Sequence, residues 1–143
     1  MLEAAVYFVL WTFYLYWLHR FVHAVPVLQY VHAHHHSYIN KNDTRWHWNN
    51  IFLFNDDWIC TLDLWITDVI PTIIFAFVTN QWWLCVFYYV WAAFVQEIVE
   101  HNPSVNFYPF LHSGQWHLKH HRQSNKNYGM FIVYWDKLFK TNA

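Results

Sequence analysis

The sequence predicts an all-α integral membrane protein: a helical bundle of about three spans, two of them paired as a hairpin, with a cytosolic cap of histidine-rich helices. Three observations carry that prediction. Hydrophobic residues make up 57 % of the 143-residue chain and charged residues 12 %, against about 25 % charged in an ordinary soluble domain. Two glycines in the whole chain are too few for a turn-rich β protein. Twelve histidines stand at helical spacings beside the apolar runs. The length bounds the chain to a single domain, residues 1–143.

The same composition removes several function classes. So much apolar surface excludes disorder. Eight Lys+Arg against nine Asp+Glu leave no basic excess, so no nucleic-acid partner is expected. The two cysteines, Cys60 and Cys85, lie in apolar runs and make no disulfide framework.

The first apolar stretch, residues 4–18, carries no charge. With residues 1–3 it reaches about 27 Å as a helix, close to the ~30 Å hydrocarbon thickness. It has no basic leader and no small-residue cleavage site before His19, so it does not read as a signal peptide. The next apolar region runs from Trp58 to Val99 and includes 28 consecutive uncharged residues between Asp68 and Glu97. Asn80-Gln81 is its best turn signal. Residues 58–79 and 82–99 then form two arms of a hairpin; the competing topology is one long tilted crossing. All eight Lys and Arg fall on one side of the hairpin and its turn has none, which puts residues 19–57 and 100–143 in the cytoplasm. A single crossing would split the basic residues three and five.

The first arm carries Asp63 and Asp68, and an aspartate at mid-membrane costs about 2.5–3.5 kcal/mol on insertion scales. Both are expected toward the cytoplasmic half, facing protein or interface; a shallow re-entrant arm is the variant of this topology. Pro71 is a candidate kink. Trp58, Trp82 and Trp83 stand at the arm ends, where indoles favour the membrane interface. A soluble α domain built from the same runs is the alternative fold, but no polar residues alternate with them at helical spacing.

The histidines form boxes. His19-x-x-x-His23 is followed by His32-x-x-His35-His36, and His117-x-x-His120-His121 lies near the C-terminus. His101 follows the second arm. At this histidine content about 0.08 chance matches to HxxHH are expected in the chain, and two occur. Residues i, i+3 and i+4 cluster on one helix face, so each box is expected to aim two or three imidazoles at one centre. Nine histidines exceed the three or four ligands of one catalytic metal and suit two. Imidazole serves Zn, Cu, Fe and Ni alike. The N-terminal and C-terminal boxes can meet only across an even number of crossings, which the hairpin provides. Bland roles compete: interfacial residues for His19 and His23, a solvated face for each HxxHH box, and a cap for His101. His34 points off its neighbours' face and His47 has no partner at regular spacing. His112 is either a ligand, a donor behind one, or neither. Glu97, Glu100, Asp57 and Asp136 are candidates to orient imidazoles from behind, or are plain interfacial charges.

These residues resemble the fatty acid hydroxylase/sterol desaturase superfamily of membrane di-iron enzymes. HRFVH and VHAHHHSY are similar to its HxxxH and HxxHH boxes, EHNPSVNFYP to its single-histidine segment, and HLKHH, NKNYG and YWDKLFKT to its closing run. Lys140 stands where the family tends to have glycine, and residues 37–57 match nothing in it. The resemblance implies His19, His23, His32, His35, His36, His101, His117, His120 and His121 as ligands of two iron ions, with zinc as the substitute, and no catalytic side chain beyond them. It also implies O2 as cosubstrate, a lipid or sterol-like substrate that is hydroxylated or desaturated at an unactivated C–H bond, and a separate redox partner (cytochrome b5-like, ferredoxin or reductase). The histidine boxes would lie on the cytoplasmic side of a multi-pass membrane protein. The competing function is a non-catalytic membrane metal-binding or transport protein.

Overall fold

The computed structural model describes residues 2–42, 45–108, 110–112 and 114–143. Met1 of the first apolar stretch and Pro109 of the single-histidine segment lie outside the described residues. Among the described residues the structure is helical, with one isolated β-bridge between Leu111 and Ile132. The helices are α1 (Leu2–Ala24), α2 (Pro26–Lys41), α3 (Trp58–Thr79), α4 (Trp83–Val99), α5 (Gly114–Arg122) and α6 (Tyr134–Leu138).

Each break has a local cause. Pro26 opens α2, and Val25 before it is extended, at φ −97° and ψ 116°, because a residue preceding proline is pushed out of the α region. That corner folds the HRFVH end of α1 back toward α2. Asp57 caps α3, accepting from the Ile59 and Cys60 amides at 2.9 Å and satisfying two of its free donors. Within α3, Trp65–Val69 is a π-helical turn just ahead of Pro71, whose missing N–H leaves the Thr67 carbonyl without its usual helical donor. The α3–α4 hairpin turns at Asn80, which has φ 55°, a left-handed conformation that asparagine tolerates. The expected turn and arms are therefore present. A second π-helical turn, Trp91–Val95, interrupts α4. The Trp46 indole donates to the Ala93 carbonyl there at 2.7 Å.

The core lies where α1 meets the hairpin. Trp11 and Leu15 of α1 pack with Leu64 and Val69 of α3, Leu84, Tyr88 and Ala92 of α4, and Phe131 from the C-terminal segment. Full burial of a leucine of this kind contributes about 1.5–3 kcal/mol. The buried Trp11 indole donates to the Thr72 hydroxyl at 3.1 Å, so it leaves no unpaired donor in the core. Outward, Ile73, Ile74, Phe77 and Val78 of α3 and Val86 and Val90 of α4 are exposed. Trp58–Thr79 is, among the described residues, the one helix long and apolar enough to cross a bilayer; α4 is apolar but has 17 residues. Within the stretch unmatched in sequence, residues 37–41 complete α2 and residues 45–57 fold over the hairpin. A short 3-10 turn, Trp48–Phe52, is tied down by the Tyr89 hydroxyl on the Ile51 carbonyl and the Trp65 indole on the Leu53 carbonyl, both at 3.0 Å.

Candidate metal centre

The three helices that carry the boxes, together with the end of α4, converge at the end of the bundle opposite the Asn80 turn. All nine histidines singled out from the sequence meet there, in two groups. His19, His23, His32, His36 and His120 form one; His35, His101, His117 and His121 form the other. Within each group one ring nitrogen from every residue lies within 4.8 Å of all the others. The groups adjoin: the His36 and His121 rings stack with centroids 4.4 Å apart.

The partition corrects the expectation that each box serves one centre. His32 and His36 face the first group while His35 faces the second, and His117 and His121 face the second while His120 faces the first. The i, i+4 pairs stay together, and the i+3 member points to the neighbouring group. Each HxxHH box thus contributes to both.

Hydrogen bonds from behind fix the tautomers. Carbonyls accept and cannot donate, so His19 Nδ1–H donates to Tyr128 O at 2.9 Å and His120 Nδ1–H to Lys126 O at 2.6 Å. His32 Nδ1–H donates to the Asp63 carboxylate at 3.0 Å. A neutral imidazole that carries its proton on Nδ1 leaves Nε2 bare. Yet His19 Nε2 lies 3.0 Å from His32 Nε2, and His36 Nε2 lies 3.0 Å from the same atom. His120 Nε2 lies 3.1 Å from His23 Nε2. Two bare nitrogens cannot hydrogen-bond to each other, and a cation between His19 and His32 would remove the repulsion. Metal–nitrogen bonds of about 2.0–2.1 Å set ligand nitrogens about 2.8–3.4 Å apart, from right-angled to tetrahedral geometry. The three close pairs of the first group fit that spacing.

In the second group, His117 Nε2 and His121 Nε2 are 2.8 Å apart. His101 Nδ1 faces Glu97 Oε2 at 3.2 Å, and the buried His101 Nε2, His117 Nδ1 and His121 Nδ1 have no hydrogen-bond partner. Buried polar nitrogens are seldom left unpaired, and a metal ion would supply the missing partner. Burial holds His117, His120 and His121 well below the usual 6.5, with neighbouring imidazoles adding to it, and holds His23 and His35 near 4. These five rings are neutral at pH 7, as metal ligands must be, whereas the Glu97 carboxylate beside it pushes His101 up against its burial.

The fatty acid hydroxylase family profile matches residues 4–141. The chain belongs to the fatty acid hydroxylase family. It is 26 % identical over 143 residues to a Delta(7)-sterol-C5(6)-desaturase of Nicotiana tabacum, covering 99 % of this chain and 49 % of that protein. It is 27 % identical over 144 residues to a protein of Arabidopsis thaliana named for the same activity, covering 96 % of this chain and 47 % of the relative. The chain spans about half the length of the curated relatives it matches. No solved structure matches the chain significantly.

The family's closing motif acquires a physical role here. Asp136, fully buried, accepts from the Tyr128 and Gly129 amides at 2.7 and 2.8 Å and from the Thr141 hydroxyl at 2.8 Å. That clamp shapes the NYG loop so that the Lys126 and Tyr128 carbonyls point at His120 and His19. Lys140, where the family favours glycine, has φ 56°, in the left-handed region that glycine enters without steric cost.

Other expectations need correcting. Asp136 and Asp57 do not orient these imidazoles directly: Asp136 holds backbone, and Asp57 is the capping charge of its alternative reading, closing α3 and meeting His34 Nε2 at 3.0 Å. Glu100 is buried with Oε1 unpaired. Of the four candidates only Glu97 meets an imidazole of the two groups. His47 pairs with Asp56 at the surface at 3.2 Å. His112 lies beside His117, its ring centroid 4.8 Å away, with Nδ1–H donating to Met130 O. Sequence reading missed Asp63 as the partner of His32. The available signal was its apparent expense: an acid inside an apolar arm is functional by default.

The depressed imidazoles predict a pH effect on the metal-free chain. Folded, His23 and His35 protonate near 4; unfolded, near the ordinary 6.5. The unfolded chain therefore takes up more protons as pH falls below about 6.5, and stability drops progressively toward pH 4. The thermal midpoint of chelator-treated protein in detergent is expected to fall between pH 7.5 and pH 5. A midpoint constant across that range overturns the prediction.

Proposed function

We propose that this chain forms the di-iron centre of an O2-dependent oxidoreductase that hydroxylates or desaturates an unactivated C–H bond of a lipid or sterol-like substrate at a membrane. One observation carries the reading: nine imidazoles converge in two adjoining groups, and in the first of them Nε2 atoms of rings held from behind lie about 3 Å apart. Family membership and sterol-desaturase relatives support lipid oxidation as the class. Two ferrous ions would supply the O2 chemistry and electrons that no side chain provides.

The chain's own residues do the rest. His19, His23, His32, His36 and His120 would hold one ion, and His35, His101, His117 and His121 the other. Asp63, Glu97 and the Tyr128 and Lys126 carbonyls keep the rings oriented and raise their basicity. Leu53, Leu64, Ala92 and Met130 give apolar walls to a cleft beside both groups, where a lipid carbon could sit out of water. The eight basic residues fall on the histidine side of the hairpin, which supports a cytoplasmic centre and an acidic surface on a separate electron donor.

A non-catalytic metal carrier is the rival, and metal analysis separates the two. Protein purified without oxygen and given ferrous iron is expected to hold two irons per chain and, with a reductant, to consume O2. His35→Ala and His120→Ala are each expected to lower iron content and abolish oxygen uptake. One stable zinc per chain with neither iron uptake nor oxygen consumption overturns the enzyme reading.

A further inference from the structure

The two π-helical turns, Trp65–Val69 in α3 and Trp91–Val95 in α4, line the same cleft. Thr67 and Asp68 come from the first and Ala92 from the second; Glu100 joins them from the end of α4, and His19, His32, His35, His101 and His117 line its other side. Including its open mouth the cleft has about 600 Å³, but its inner space is about 30 Å³, room for two or three water-sized groups. Single π-helical turns inside α-helices often mark functional sites.

Two buried acids border this space, each with one carboxyl oxygen unpaired. Asp68 is 4 % exposed and Glu100 1 %. Asp68 Oδ2 shares the Thr67 hydroxyl with the Asp63 carbonyl, at 3.1 and 2.8 Å. Asp68 Oδ1 and Glu100 Oε1 have no hydrogen-bond partner. Neither acid bonds a histidine of the two groups among the described residues, so orienting ligands does not account for them. An unpaired buried carboxyl oxygen is costly and is expected where a ligand completes it.

We propose that Asp68 and Glu100 form a subsite for an uncharged hydroxyl group of the lipid substrate, with Ala92 leaving room for it. The inference rests on the lipid-oxidation reading above and narrows its substrate class. A hydroxyl fits the narrow inner space, and it can donate to an unpaired carboxyl oxygen. A carboxylate, phosphate or sulfate head group would meet two acids in a water-poor cleft and be repelled. The hydroxyl would then lie beside the histidine groups, so the oxidised carbon is only a few bonds away from it.

The test uses the full chain in nanodiscs and a sterol bearing a photoreactive diazirine on its ring body, a few bonds from the 3-hydroxyl. Unlabelled cholesterol, its 3-methyl ether and its 3-sulfate compete for crosslinking; the three share one ring body. Cholesterol is expected to compete best, with the ether and the sulfate each about tenfold weaker or worse, as loss of a hydrogen bond to a charged group implies. The label is expected on peptides containing residues 64–69 and 92–101. Asp68→Asn is expected to shrink the preference for cholesterol over its ether to less than about threefold, and Ala92→Phe to block labelling. Equal competition by all three lipids, or labelling elsewhere, overturns the subsite and leaves an ordered water as the partner of the two acids. The wild-type comparison decides even where a variant fails to fold. Metal content measured on the same samples keeps the two ideas apart. Two metals without hydroxyl preference sink the subsite alone, whereas absence of metal sinks the enzyme reading alone.

Discussion

Asp63→Ala is expected to weaken metal binding in the first histidine group by about 10–100-fold, the usual cost of removing a ligand's outer partner, while the second group keeps its ion. Asp63 is 4 % exposed, and both its oxygens lie 3.0 Å from His32 Nδ1. Without that acceptor the His32 proton can move to Nε2, the atom facing His19 and His36, and close the coordination site. Asp63→Asn keeps a carbonyl acceptor and loses the charge, so its expected loss is smaller. Titration with ferrous iron or zinc, read as two separate affinities, checks the result. Equal weakening of both groups, or no weakening of either, contradicts the assignment. Asp63 hydrogen-bonds a histidine of the first group and none of the second, which is why the effect should be concentrated there.

Gly114→Ala is expected to destabilise the fold by about 3 kcal/mol or more and to empty both groups. A Cβ at Gly114 would fall inside the Asn102 carbonyl oxygen, 2.6 Å from the Asn102 carbonyl carbon and 2.9 Å from the Val99 carbonyl oxygen. These are backbone atoms, and no rotamer change relieves them. Relief requires α5 to move off the end of α4. That helix carries His117, His120 and His121, which serve both groups, so an ångström of displacement reaches every coordination site. Gln115→Ala, at an exposed position in the same turn, is the control and is expected to be silent. Thermal unfolding and metal content measured together decide. A Gly114→Ala chain that melts like wild type and holds two ions contradicts the close packing described.

The histidine boxes were legible because i, i+4 spacing is local: whichever tertiary structure forms, His32 and His36, or His117 and His121, share a helix face. The hairpin turn was legible for a similar reason, since Asn80 adopts the one conformation its neighbours disfavour. The sharing of each HxxHH box between two centres was not legible. Residues i+3 and i+4 differ by about 100° around a helix, and only the position of other helices decides which side each side chain serves. Residues 37–57 had no readable role because their bonds run to carbonyls, such as Trp46 to Ala93. Every residue type offers a carbonyl, so it leaves no trace in sequence.

The sequence by itself determined the helical class, the apolar hairpin, the family resemblance and the nine histidines that come together. Tertiary structure alone decided which nitrogen of each ring faces inward and which acids stand behind or beside the centre. The reason is range. His19 takes its partner from Tyr128 and His32 from Asp63, 109 and 31 residues away. A pattern of spacings encodes what lies one helical turn away, and the lone pair that binds a metal is set by a proton held on the ring's far side.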